Sequence, residues 1–105
     1  MNKKSLILAE EYANILRQKL GRRLKQVLLF GSYARGDAWE GSDYDILVVV
    51  DKRTPGIREK TLDISVEMMN KHEKLFAVLL YDEKEWHIAQ DFPLARNIKK
   101  EGIHV

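Results

Sequence analysis

Two aspartates stand at the entrance to a strongly apolar segment, where carboxylates are costly to bury. Asp43 and Asp45 come just before the run Ile46–Val50. Because side chains alternate along an extended strand, residues two positions apart lie on the same face. Two such carboxylates repel each other unless a cation or hydrogen-bond donors compensate. Hard oxygen ligands of this kind suit Mg²⁺, which often bridges protein carboxylates and substrate phosphates, although a solvated loop end has the same pattern.

A glycine and a serine after an earlier apolar segment form a second candidate feature. Gly31 and Ser32 directly follow the run Leu28–Phe30. Glycine lets the backbone approach a ligand closely, and free N–H groups at the start of a helical turn attract phosphate. A turn of this kind also ends ordinary strands. Arg35 lies in the same loop, where it could either contact a phosphate or tie the loop to an acidic side chain.

Together these residues form a far more specific pattern than either part alone. The chain has Gly31-Ser32, then ten residues that include Arg35-Gly36, then Asp43-Tyr44-Asp45 leading into an apolar strand. This pattern resembles the signature of the nucleotidyltransferase superfamily that includes DNA polymerase beta. The short chain and the ten-residue spacing resemble above all the minimal nucleotidyltransferases (MNT), the antitoxins of HEPN–MNT toxin–antitoxin pairs.

The resemblance implies a role for each matching residue. Gly31, Ser32 and Arg35 would bind the nucleotide, with the Gly-Ser turn holding its triphosphate. Asp43 and Asp45 would be the catalytic residues and would ligate one or two Mg²⁺ ions. In-line attack by an acceptor hydroxyl on the α-phosphate would then release pyrophosphate, with catalysis by positioning and charge neutralisation.

The resemblance also implies a substrate and a partner. The expected reaction is Mg-dependent transfer of NMP, with AMP from ATP favoured over other nucleoside triphosphates. A hydroxyl of a HEPN-type toxin is the expected acceptor, and association with further copies of the chain stays open. A nucleic-acid template is disfavoured at this length. The alternative is a catalytically weak subunit that binds nucleotide and neutralises its partner by forming a complex.

The sequence departs from the family pattern at a third carboxylate. In the family this acid usually comes from the strand after the crossover helix, and alignment places Ala77 there. Alanine cannot ligate a metal, and Asp82 is expected at the far end of the same strand. Glu73, Asp37 and Glu40 are substitutes without better support. The departure favours the binding alternative, whereas the intact Gly-Ser and Asp-x-Asp patterns favour the enzyme.

Apolar periodicity predicts the elements that must position these residues. The order α-β-loop-β-α-β-α indicates one domain of the α/β (α+β) class over residues 1–105, with helices packed on a sheet. The resemblance implies that this domain has a nucleotidyltransferase fold, with a small mixed sheet of three or more strands. A crossover helix between the second and third strands makes those two strands parallel. The predicted strands are 26–30, 46–50 and 75–81. The predicted helices are 5–20, capped by Ser5, and Pro55 to about 70–72, capped by Thr54, with further helical segments after 82–86 and over 94–100. One helical turn is expected after Ser32.

Composition excludes several classes of function. The chain has 105 residues, no cysteine and a formal net charge of +2 with both signs intermixed. Disulfides, zinc–cysteine sites and thiol catalysis are therefore excluded. The early apolar stretch is broken by Glu10 and Glu11 and predicts neither a signal peptide nor a membrane span, so a cytoplasmic protein is expected. The three histidines, His72, His87 and His104, match no metal-ligand spacing.

Overall fold

Five α-helices and four strands form residues 3–105, the part of the chain that the computed structural model describes. Residues 1 and 2 of the predicted 1–105 domain lie outside that range. A short 3-10 turn, Gly21–Arg23, separates the first helix from the first strand. The elements in chain order are α1 Lys3–Leu20, β1 Leu24–Phe30, α2 Ser32–Arg35, β2 Tyr44–Val50, α3 Pro55–His72, β3 Phe76–Asp82, α4 Glu83–Ala89, α5 Pro93–Glu101 and β4 Ile103–His104.

The sheet is mixed, with the strand order β3-β2-β1-β4. β1 pairs antiparallel with β2 and β4, whereas β2 and β3 are parallel. The parallel pair confirms the prediction from the crossover helix α3. β4 was not predicted, because a two-residue strand is too short to carry a periodic signal.

Apolar side chains cover both faces of the sheet, since β2 is the central buried strand and alternates between two cores. Ile46, Val48 and Val50 pack with α1 and α3, and Leu47 and Val49 pack with α4 and α5. On the second face the core is small, and its main helical members are Trp86, Ala95 and Ile98. The open end of this second face is where Asp45 lies, because Asp45 shares the strand face of Leu47.

Local signals placed α3 correctly. The Thr54 hydroxyl accepts a hydrogen bond from the Ile57 N–H at 3.2 Å, and Pro55 is the first helical residue, as predicted. The buried face of the helix is Ile57, Thr61, Ile64 and Met68.

Three expectations about helices and strands were wrong. α1 already includes Lys3, so Ser5 is not its N-cap; Ser5 is buried and its side chain hydrogen bonds to Tyr44 instead. Three apolar residues that continue the periodicity of α3, and that this periodicity predicts to be buried, are exposed, because no element of residues 3–105 packs over that side of the helix. They are Leu62 at 54%, Val66 at 58% and Met69 at 45%.

The first two strands also begin two residues earlier than predicted, at Leu24 and Tyr44. Asp45 therefore lies inside β2, where it takes part in the pairing of the sheet.

Candidate active site at the mouth of strand β2

The site is centred on Asp45, which lies between two neighbouring strands. Asp45 pairs with Phe30 of β1 on one side and with Ala77 of β3 on the other. Asp43 precedes β2 and is exposed, whereas Asp45 is half-buried. The structure therefore brings the two predicted carboxylates together at one end of the sheet, with the exposed Ala77 beside them.

The Gly31 turn passes directly over the Asp45 carboxylate. Gly31 has φ 76° and ψ −155°, a backbone conformation that is essentially restricted to glycine. A Cβ added to Gly31 would overlap Oδ2 of Asp45 and lie 3.0 Å from its Cγ. Glycine is therefore required here both for the backbone turn and for the close approach to Asp45. The predicted helical turn after Ser32 is confirmed as α2.

Stacked aromatic rings hold the turn against the strand. Tyr33 of α2 stacks on Tyr44 of β2 with ring centroids 4.0 Å apart. Tyr44 stacks in turn on Phe76 of β3 at 4.7 Å, and Phe76 on Tyr12 of α1 at 5.0 Å. This column packs on the opposite face of the sheet from Asp45. It therefore fixes α2, β2 and β3 relative to one another without occupying the site.

The electrostatics of the site favour an added positive charge. Burial raises the pKa of Asp45, and the negative charge of Asp43 raises it further. The Arg35 charge opposes this rise, whereas the Glu101 charge adds to it. Two neighbouring carboxylates are therefore only partly compensated by the protein itself.

Arg35 is tied to acidic side chains in the structure. Its Nε donates to Oδ2 of Asp37 and its Nη1 donates to Oε1 of Glu101, both at 3.2 Å. The same Oε1 accepts the Gly31 N–H at 3.1 Å. Of the two roles considered for Arg35, the structural tie is therefore present.

Glu101 is the residue of this site that the sequence did not indicate. It is the last residue of α5 and lies far along the chain from the Gly-Ser and Asp-x-Asp patterns. A single glutamate at a helix end carries no signal for a binding site. Only the packing of α5 on the sheet brings it to Gly31.

The strand register supports the expectation about the third carboxylate. Ala77 lies directly opposite Asp45, and Asp82 lies opposite Val50 at the other end of β3. Among the suggested substitutes, Asp37 is engaged with Arg35, and Glu73 ends α3 in a left-handed conformation with φ 54°. Within residues 3–105, no group of three or more acidic or histidine side chains is arranged to hold a metal ion.

The cleft beneath the loop is separate from these residues. It has a volume of about 390 Å³, and Tyr33, Trp39 and Lys74 contribute to its lining. None of the five predicted site residues lines it. The candidate site is therefore the mouth of β2, which is the solvent-open end of the strand where Asp43 and Asp45 lie. An acceptor group could approach it from solvent.

No helix within residues 3–105 is long and apolar enough to cross a membrane.

Comparisons with known proteins find relatives that cover most of this chain. A family model described as a nucleotidyltransferase domain matches residues 9–104. A protein of Methanocaldococcus jannaschii that is named a protein adenylyltransferase is 32% identical over 102 residues, which are 97% of this chain and 96% of the relative.

Two solved structures have a similar fold. One is a toxin–antitoxin complex with AMP-PNP, with a TM-score of 0.60, 21% identity, and coverage of 90% of this chain and 70% of the other. The second is the complex of a tri-AMPylated Shewanella oneidensis HEPN toxin with its MNT antitoxin. Its TM-score is 0.56, with 18% identity and coverage of 95% and 70%. At these identities the likeness concerns the fold, and it confirms the predicted fold class.

Proposed function

Because this chain belongs to the nucleotidyltransferase domain family, we propose that it transfers AMP from ATP to a hydroxyl group of a partner protein. The observation that carries the proposal is the close approach of the Gly31 turn to Asp45. It puts a backbone amide that can hold phosphate next to a carboxylate that can hold a metal ion.

In this proposal the Gly31–Ser32 turn holds the triphosphate. The Gly31 N–H already donates a hydrogen bond to a carboxylate oxygen at 3.1 Å, which supports a role as a hydrogen-bond donor to an anionic ligand. The Ser32 hydroxyl would supply a second donor. Arg35 is within reach of the same oxygen and would add a positive charge.

Asp43 and Asp45 would hold one or two Mg²⁺ ions. The donor set fits such an ion, because both side chains offer hard oxygen ligands. Burial and the Asp43 charge raise the pKa of Asp45, so an added positive charge would stabilise its ionised form. A bound divalent cation would neutralise charge on the phosphates and on the leaving pyrophosphate.

The chain's own residues would act by positioning. An oxygen of the acceptor hydroxyl forms a bond to the α-phosphorus, the bond from that phosphorus to the bridging oxygen breaks, and pyrophosphate leaves. The acceptor proton passes to solvent. No covalent intermediate with a side chain is needed, so a turn that fixes the phosphates and acids that fix the cation would suffice.

We propose that the acceptor hydroxyl belongs to a HEPN-type protein and that the chain acts as its antitoxin. The name of the Methanocaldococcus relative and the tri-AMPylated toxin in a structural neighbour support this acceptor class. The mouth of β2 also supports it, because Asp43 and Ala77 are exposed there in the described part of the chain, so a side chain of a second protein could approach them.

A second function is favoured by one specific observation. Ala77 lies opposite Asp45, where the family resemblance places a third carboxylate. A chain without that acid could bind nucleotide and neutralise its partner by forming a complex, with little transfer.

Labelled ATP separates the two functions. The chain is incubated with α-labelled ATP, Mg²⁺ and the product of the adjacent gene, and label is followed on that protein. Transfer is expected with the natural chain and a loss of at least 100-fold with Asp43→Asn/Asp45→Asn. Asp82→Asn is the matched control, since it makes the same change at the far end of β3 and asparagine still caps α4. Equal label with both variants, or none with the natural chain, refutes AMP transfer to this acceptor.

A further inference from the structure

One acidic side chain occupies the donors that the proposed nucleotide would need. Oε1 of Glu101 accepts hydrogen bonds from the Gly31 N–H at 3.1 Å and from Nη1 of Arg35 at 3.2 Å. Both donors point at a single carboxylate oxygen, as they would at a phosphate oxygen. The turn therefore already binds an anion, and that anion is part of the protein.

The fold holds Glu101 in this position. The next residue, Gly102, donates its N–H to the Ile98 carbonyl at 2.7 Å, and a Cβ at Gly102 would overlap that same carbonyl oxygen. β4 then begins at Ile103, which pairs with Leu29 of β1. The backbone that follows Glu101 is therefore fixed against the strand that ends at the Gly31 turn.

Charges of both signs act on the Glu101 carboxylate. Arg35 attracts it, whereas the negative charge of Asp45 repels it. Asp37 shares Arg35 with Glu101, and Asp43 adds a further negative charge next to Asp45. The Glu101 side chain is 25% exposed, so water is available to solvate the carboxylate if it leaves the turn. An ion pair of this exposure is weak enough for a multiply charged ligand to displace it.

We propose that Glu101 is an internal competitor of the nucleotide and sets how tightly the site takes a polyphosphate. In the free protein its carboxylate accepts the hydrogen bonds of the Gly31 N–H and of Arg35. The triphosphate must displace it, so the observed affinity is lower than the intrinsic affinity of the vacated turn. This inference rests on the proposed function, since it requires nucleotide to bind at the Gly31 turn.

Substitutions at Glu101 test the competition. Binding of Mg-ATP and of inorganic tripolyphosphate is measured by calorimetry for the natural chain, Glu101→Gln, Glu101→Ala and Asp37→Asn. The two Glu101 variants are expected to bind both ligands about three- to tenfold more tightly, because the competing charge is lost. Asp37→Asn removes the same charge beside Arg35 but has no contact with Gly31, so a change of less than about twofold is expected.

The outcomes separate this inference from the proposed function. If the folded natural chain and variants bind neither ligand, the nucleotide site and this inference both fail. If the natural chain binds but the Glu101 variants bind equally or more weakly, or Asp37→Asn has the same effect, only the role of Glu101 is refuted. A measurement on the natural chain is independent of variant folding. The ¹³C carboxyl resonance of Glu101 should shift when Mg-ATP saturates the protein, and an unchanged resonance refutes displacement.

Discussion

Replacing Gly31 by alanine should destabilise the protein strongly. The backbone conformation at Gly31, with φ 76° and ψ −155°, strains any residue with a Cβ by about 1–3 kcal/mol. The new methyl would also overlap Asp45 Oδ2, and crowding of this kind costs about 1–3 kcal/mol more. The expected loss is therefore about 2–6 kcal/mol, a large share of the roughly 5–15 kcal/mol that holds a domain folded.

Gly36 provides the matched control for this change. It also has a positive φ, 82°, but a Cβ there would meet no atom within 4 Å. Gly36→Ala therefore introduces backbone strain without steric overlap, and we expect the free energy of unfolding to fall by about 1–2 kcal/mol. The difference between the two variants contains the crowding against Asp45 and the difference in strain between the two backbone conformations.

Urea unfolding followed by circular dichroism measures both losses. A double-mutant cycle with Asp45→Ala isolates the contact, since that substitution removes Oδ2 and Cγ and leaves only Cβ near the added methyl. In the Asp45→Ala background, Gly31→Ala should cost about 1–3 kcal/mol less than in the natural chain. Equal losses for Gly31→Ala and Gly36→Ala, together with an additive cycle, would refute the reasoning.

Two further predictions concern a metal ion and pH. Ala77→Asp would place a carboxylate opposite Asp45, so we expect Mg²⁺ to raise the Tm of this variant more than that of the natural chain, and an equal rise would contradict the site. Hydrogen bonds from His72 and Lys71 lower the pKa of Glu11 below its ordinary value of 4.5. A pKa that is lower in the folded state than in the unfolded state stabilises the folded protein at pH values above the unfolded-state pKa. Glu11→Gln should therefore lower the free energy of unfolding by about 0.5–1 kcal/mol at pH 7. That difference should shrink as pH falls from 4.5, and a difference that persists at pH 2–3 in urea unfolding would exclude the ion pair as its source.

Short-range patterns predicted much of the fold because they act within a few residues. The Thr54-Pro55 pair determines where α3 begins, since one side chain accepts an amide hydrogen bond and the other residue needs no donor. The run Ile46–Val50 predicted a buried strand, because apolar residues on both faces of a strand require cover on both faces. The parallel pairing of β2 and β3 followed from the crossover connection through α3.

Other features depend on what lies outside each element. The apolar residues Leu62 and Val66 continue the periodicity of α3, yet they are exposed because nothing in the described part of the chain packs over them. Ser5 has the chemistry of an N-cap, yet α1 begins earlier and its side chain hydrogen bonds to Tyr44. A side chain's type does not state which neighbours the fold will bring to it.

The sequence by itself determined the candidate chemistry, since a Gly-Ser turn and two acids of the same strand entrance are close along the chain. Only the tertiary structure placed Gly31 against Asp45, set Ala77 opposite Asp45, and brought Glu101 from the end of α5 to the Gly31 amide. Strand register and helix packing decide such contacts, and both depend on burying apolar faces that are distant in sequence.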